Sequence, residues 1–555
     1  PGTLTSDGSV KYVSVEYLGN GSGEVLRLKV DDSGNILSAA GYYPEGTLCK
    51  AQTLDEDGNV TQVFANQEGL TLLNRVFDSN GNAVDTYSVY DDMGRLRWVV
   101  SPEGAAGLGA SSVLPESAAA AQEYCYVYKY DGRGNVIEKK LPGRAAEYLV
   151  YDRGDRLVMS QDGNLRAAGN RWALIGYDAF DRESARRILP TTLDRAGLTD
   201  VFAEGRESAL YDSPSAQLES QCFYDSSLIP AELEFAEVPD IVSAGDIAGS
   251  SLRAYEKIRI LNDSSVDEYV ERAFYYDKKG RVIQTVIRNQ SGGVDRVSYR
   301  YDFCGNVLLS AESHRKNGDA EEDVLIRRFT YDSRGRLLAE SACLNDGAEA
   351  CMNYGYDELG NLTTRQYGGD SRLLAEELSY NLRGWLTSKS NEKFSMTLAY
   401  NAPHHPQVAP SYTGNITEWN WTHADSGEEN TYSFTYDSQS RLTDTRQYID
   451  GLEVDQFVER NLSYDRNGNI QSLHRYEHGE LKSNFAYTYT GNRLKTISDM
   501  QASPRSRSFA NWGSADSLGG IRPDPIDPGI PIWPIDPVDP GNPGVIIPPV
   551  IEPVD

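Results

Sequence analysis

Four short stretches, DDSGN (31–35), DEDGN (55–59), DSNGN (78–82) and DRNGN (465–469), place oxygen-bearing side chains at alternate positions beside a glycine. An EF-hand loop opens in this way, with calcium ligands at positions 1, 3 and 5 and a bidentate acid at position 12. Counted from Asp55, position 5 is Asn59 and position 12 is Asn66, so the closing carboxylate is missing. A hairpin turn calls for the same residues without a metal. His404 and His405, in APHHPQ, are the one adjacent histidine pair. Neighbours on an extended segment point to opposite sides, so the pair is expected on a surface loop, not around a shared ion. Cys343 and Cys351 flank an Asn-Asp-Gly turn in CLNDGAEAC. They would either bridge across a hairpin in an oxidising compartment or stay as two buried thiols. With no CxxC, zinc is not expected. The chain holds no G-x-S-x-G elbow, H-E-x-x-H helix or Walker loop, so neither a catalytic residue nor a cofactor is expected.

The Asp-to-Gly spacing recurs far too often for a catalytic motif. Tyr90, Tyr130, Tyr276, Tyr301, Tyr331, Tyr356, Tyr380 and Tyr464 each precede a glycine by four residues: Gly94, Gly134, Gly280, Gly305, Gly335, Gly360, Gly384 and Gly468. Most copies read Y-D-x-x-G-R or Y-D-x-x-G-N, as in FTYDSRGRLL and YGYDELGNLT. Such a D-x-x-G phrase is a type I turn whose Asp accepts backbone N–H groups, while the Gly supplies a positive φ at the closing bulge. Each unit is therefore predicted to be a β-hairpin. The tyrosine ring would lie over the neighbouring hairpin, its hydroxyl at a wet edge or on a partner. A lone hairpin is marginal in water, so the units are expected side by side in one long, coiled β-sheet strip.

Composition agrees with that reading. The 555-residue chain has 35 Tyr against 14 Phe, 50 Gly, 39% hydrophobic and 24% charged residues. A net charge of −29 excludes a phosphate-backbone binder, which needs a basic stripe. No apolar run reaches the roughly 18 residues of a membrane span. The chain starts at Pro1 without a charged or apolar leader, so a leader is expected to have been removed upstream. Five segments follow from the phrasing. Residues 1–102 hold degenerate repeats, and 103–182 an Ala-rich insert followed by further repeats. Residues 183–255 form an irregular insertion with short helices, 256–500 the regular repeats, and 501–555 a Pro-rich tail with 11 prolines in its last 33 residues.

The iterated YDxxGR and YDxxGN phrases resemble the YD repeats of the Rhs family. That family covers bacterial polymorphic-toxin carriers, cell-surface proteins, cocoon-forming toxin-complex components and teneurin shells. The resemblance spans about residues 30–500, and residues 129–182 are similar to Rhs-type surface proteins. It implies a non-catalytic hairpin shell, secreted or at the cell surface, enclosing or presenting a toxin or effector cargo or abutting a neighbouring shell segment. The family's aspartyl D-P-x-G core has no match here, since the DPG triplets at 527–529 and 539–541 sit inside the proline repeat. Two other readings remain at this point. One is an adhesin binding glycans through exposed tyrosines; the other is an enzyme with carboxylates buried in a lumen.

Overall fold

In a computed structural model, described here for residues 10–501 except 250, 262–267, 290, 317–321, 370–372 and 455, the chain is an all-β strip. The backbone of the short strand Thr3–Leu4 is described too. One compact unit covers Pro1–Ala510. The Pro-rich tail expected over 501–555 lies outside the described residues beyond 501.

The turn chemistry builds the strip one hairpin at a time. In the unit around Asp277, Gly280 N–H donates to the Asp277 carbonyl at 3.0 Å, and Asp277 N–H to the Arg281 carbonyl at 2.9 Å. Gly280 has φ +77°, a region that costs other L-residues about 1–2 kcal/mol. In the ladder, Tyr276 pairs with Val282 and Tyr275 with Gln284. Ile283 is thus the extra residue of a bulge, and its side chain is buried at 4% exposure. The same shift follows the tyrosine in the units of Tyr301, Tyr331, Tyr356 and Tyr380.

Twenty-nine strands join in this way into a single antiparallel sheet that does not close. Ser14–Gly19 pairs with Cys49–Leu54 at one end, and Leu452–Val454 with Leu442–Ile449 at the other. A four-stranded sheet, Phe457–Asp499, carries the strip on through a side chain. Thr445 Oγ1 donates to the Glu459 carbonyl at 2.9 Å and accepts its N–H at 2.8 Å. The expected insertion at 183–255 does not interrupt the sheet, because its strands Glu183–Pro190 and Gln217–Phe223 pair with each other inside the strip. Its helices are Arg195–Ala203 and Ser208–Tyr211. The Ala-rich piece forms the short helix Ala119–Tyr124. One degenerate unit, KVDDSGNILS, leaves the strip and pairs Leu26–Val30 with Ile36–Tyr42 in a small separate sheet.

Three such excursions bury the apolar residues of the strip. The small sheet brings Leu26, Leu28 and Leu37 onto Phe64, Leu73 and Trp98, with Trp98 Nε1 donating to the Gly34 carbonyl at 2.9 Å. Leu198 and Phe202 cover Trp172 and Leu174, and Leu233, Ile241 and Val242 cover Val286, Ile283 and Ala311. Farther along, one face turns polar. Glu418 and Asn420 stand opposite Ser433 and Thr431, while Trp419 faces Tyr432 on the other side.

Gly335 has φ +80°, and a Cβ there would meet nothing closer than 3.7 Å. A substitution therefore carries the backbone cost alone. Gly335→Val is expected to lower stability in urea unfolding by about 1–2 kcal/mol, and Gly335→Asn by clearly less, since Asn tolerates this region. Equal losses for the two variants would contradict the turn assignment.

Candidate functional site

The recurring chemistry sits where one hairpin meets the next. Asp277 Oδ1 accepts the N–H groups of Lys279 and Arg281 at 2.8 and 3.0 Å, and Oδ2 accepts Arg281 Nε at 2.7 Å. Desolvation pulls this carboxyl upward, but the Arg281 N–H and guanidinium outweigh it and hold it below its ordinary value. Arginine repeats the arrangement at Asp91, Asp332 and Asp437. Asn135, Asn306, Asn361 and Asn469 fill the same place on Asp131, Asp302, Asp357 and Asp465. The residue after the turn glycine thus closes the Asp's second oxygen. The stretches that resemble calcium loops work the same way, with Asn59 Nδ2 on Asp55 Oδ2 at 2.9 Å.

The second half of the junction comes from the following unit. Tyr301 donates its hydroxyl to the Val282 carbonyl at 2.8 Å. Tyr331 reaches Val307 at 3.0 Å, Tyr356 reaches Leu337 at 2.9 Å, and Tyr464 reaches Leu442 at 2.6 Å. Each acceptor stands two residues after the preceding unit's turn position. Tyr130 and Tyr276 make equivalent bonds to Leu96 and Arg253. Tyr90 and Tyr380 hold the same strand position, but among the described residues their hydroxyls have no hydrogen-bond partner. The turn arginine ties the junction together. Arg281 lies 4.7 Å over the Tyr301 ring and donates to the Asp302 carbonyl at 2.9 Å. Arg336 does the same with Tyr356 and Asp357. Burial pushes the hydroxyls of Tyr301 and Tyr331 up, and that of Tyr436 to about 12, so they remain donors.

Three units escaped the glycine pattern. Asp155, Asp181 and Ser440 occupy the glycine's place at φ 61°, 61° and 60°. Their tyrosines or arginines still serve: Tyr177 reaches the Leu157 carbonyl, and Tyr436 that of Ile416, each at 2.8 Å. The readable signal in each was Y-D followed by Arg at the fifth position after Tyr.

The remaining candidates fall elsewhere. Cys343 and Cys351 are free; Ser341, not Cys343, stands opposite Cys351, and Cys343 Sγ donates to the Gly347 carbonyl at 3.3 Å. His404 and His405 lie in a loop, as expected, and there their rings turn to the same partner. Their Nδ1 atoms sit 3.2 and 3.0 Å from the two oxygens of Glu418, whose side chain is fully buried. The same carboxylate accepts both backbone N–H groups, at 2.5 and 2.8 Å. Nothing near the histidines in sequence marked Glu418, 13 and 14 residues away. Among the described residues no group of His, Cys, Asp and Glu is placed to hold a metal. No described helix is long and apolar enough to cross a membrane. A cavity of about 1150 Å³ lies between residues 236–241 and the strip, with Arg296, Arg300 and Arg328 around a floor of Leu309, Ala311 and Ile326.

Fold and junctions together define a hairpin-repeat strip. No family model matches the chain, and no curated protein matches it in sequence. Solved structures do match in shape. TcdB2-TccC3-TEV aligns with 86% of the chain at 12% identity and a TM-score of 0.33, and TcdB2-TccC3-Cdc42 with 89% at 11% and 0.31. TcdB2-TccC3 without its hypervariable C-terminal region aligns with 90% at 10% and 0.32. The chain spans 25–30% of the length of those chains.

Tyr331→Phe removes one junction bond and leaves the ring, so a loss of about 0.5–1.5 kcal/mol is expected in urea unfolding. Alkali acts on the junctions of Tyr301, Tyr331, Tyr436 and Tyr464 together. Below pH 10 these four hydroxyls are protonated in both folded and unfolded chains, and their contribution is complete. As pH rises from 10 through the Tyr436 value of about 12, the unfolded chain ionises first and stability falls. Tyrosinate absorbance that rises together with loss of β-sheet circular dichroism checks this; ionisation at pH 10 with the sheet intact would contradict it.

Proposed function

We propose that this chain is a non-catalytic wall: a Rhs-type YD-repeat scaffold forming part of a secreted or cell-surface shell that encloses or presents a toxin or effector. The observation that carries the proposal is the strip's return on itself. Glu56 and Glu103 hydrogen-bond to turns 327 and 364 residues later. A sheet whose neighbours are all sequential and whose circuits touch edge to edge is built to surround a volume. The aspartates that open the repeated turns serve those turns, and most of the repeated tyrosines serve the junctions, which supports a structural role for the recurring residues. Electron microscopy of the isolated chain is expected to show a curved-walled particle enclosing a space. A flat or extended ribbon would sink the proposal.

A second reading, a glycan-binding surface module, has one observation of its own. The junction tyrosines are engaged, but Trp419, Trp421 and Tyr432 form a separate aromatic cluster on one face, with ring centroids 4.5 Å (Trp419–Trp421) and 5.5 Å (Trp421–Tyr432) apart. Glycan-array binding by the wild-type chain that Trp421→Ala abolishes, with the fold kept, would favour it. An unlabelled array would remove it.

A further inference from the structure

One acidic side chain in the first units is not used by its own turn. In DEDGN, Asp55 makes the turn, and Asp57 contributes only its backbone N–H, at 2.9 Å from Asp55 Oδ1. The Asp57 carboxylate instead faces residues more than 350 positions later. It accepts Ser411 Oγ at 2.8 Å, Thr413 Oγ1 at 2.6 Å and Tyr412 N–H at 2.7 Å. Beside it, Glu56 pairs with Arg383 at 2.8 Å, with 11% of the Glu56 side chain exposed.

Ser411, Tyr412 and Thr413 belong to residues 400–417, the irregular loop between strands Phe394–Ala399 and Glu418–His423. The base of this loop is fixed independently. Glu418 grips His404 and His405 through both backbone N–H groups and both rings, and Thr417 Oγ1 donates to the Tyr400 carbonyl at 2.8 Å. Other contacts along the same seam are sparser. Ser438 Oγ reaches the Phe77 carbonyl at 2.7 Å, Glu103 exchanges bonds with Arg466 and Asn467 at 3.0 Å, and Arg493 reaches the Gly143 carbonyl at 3.4 Å.

We infer that residues 400–417 are a strap that fastens one circuit of the strip to the previous one, with Asp57 as its catch and Glu418 as its anchor. This rests on the wall reading. The strap joins the circuits by side chains and one amide, whereas paired strands of the 29-stranded sheet are joined by backbone ladders. Releasing Asp57 would part the circuits locally and leave every ladder intact. The carboxylate loses little on release, since water replaces its three donors. The seam is therefore the place where such a wall opens without unfolding.

Hydrogen exchange on the full chain tests this, because the Tyr412 amide donates directly to Asp57. Asp57→Ala is expected to speed exchange of residues 409–416 about tenfold while the ladder strands Val307–Arg315 and Asp323–Tyr331 keep wild-type rates. Glu418→Gln is expected to loosen 402–408 and, through them, Tyr412. Unchanged Tyr412 exchange in Asp57→Ala would overturn the strap, as would a rise spread evenly over the ladder. Microscopy separates the two levels: an uncoiled strip sinks the wall itself, whereas a coiled particle whose Tyr412 amide ignores Asp57 sinks only the strap.

Discussion

The structure depends on a carboxylate that fills a five-residue turn. One oxygen of the Asp satisfies two amides that a tight reversal would otherwise leave bare, and the other holds the Arg or Asn after the glycine. That second contact turns a local motif into a long-range one. The held arginine cannot swing away, so its guanidinium lies over the next unit's tyrosine and reaches the next turn's carbonyl. The bulge meanwhile leaves a strand carbonyl for the tyrosine hydroxyl to find. Register, spacing and neighbour contact follow from a single side chain's geometry, which is how a repeat architecture holds each unit against its neighbours.

Two means of stabilisation share the strip unequally. As far as about residue 326, one face is apolar and excursions of the chain cover it, with Trp98, Trp172 and Val286 fully or almost fully buried. Beyond that, neighbouring strands are joined in many places by ladder bonds and small or polar side chains, as at Ser341 beside Cys351 or Asn420 beside Thr431. Strands Leu362–Tyr367 and Leu386–Ser390 there are half-buried on both faces. The polar half therefore leans more heavily on its junctions, and it also carries the strap.

The hairpins were legible because a positive φ strongly favours glycine and an Asp three residues before it has one evident use. The units at Asp155, Asp181 and Ser440 were not, since there the turn accepts a residue that merely tolerates the left-handed region. The tyrosine's position could be read, but its partner could not, because the acceptor is a backbone carbonyl with no sequence signature. The histidine pair falls in a loop as expected, but its carboxylate partner was not legible. Adjacent side chains diverge on an extended segment, but His404 and His405 sit in a loop that wraps a carboxylate from a later strand. The insertion at 183–255 looked like a break because no turn phrase joins its strands Glu183–Pro190 and Gln217–Phe223, yet they pair without one.

Coiling is the part that no single unit encodes. Each junction adds a small twist of fixed hand, and only the sum decides which turns meet. Here the ends of hairpins at 383, 438, 467 and 493, on the Y-D turn side of the strip, meet the opposite side of the first units at 56, 77, 103 and 143. The match between Asp57 and the strap therefore depends on the number of units between them as much as on the residues themselves. Adding or removing one hairpin would leave every local interaction satisfied and still carry Ser411 and Thr413 past their acceptor. The repeat count is in this sense a structural residue of its own, selected by the seam and invisible within any one repeat.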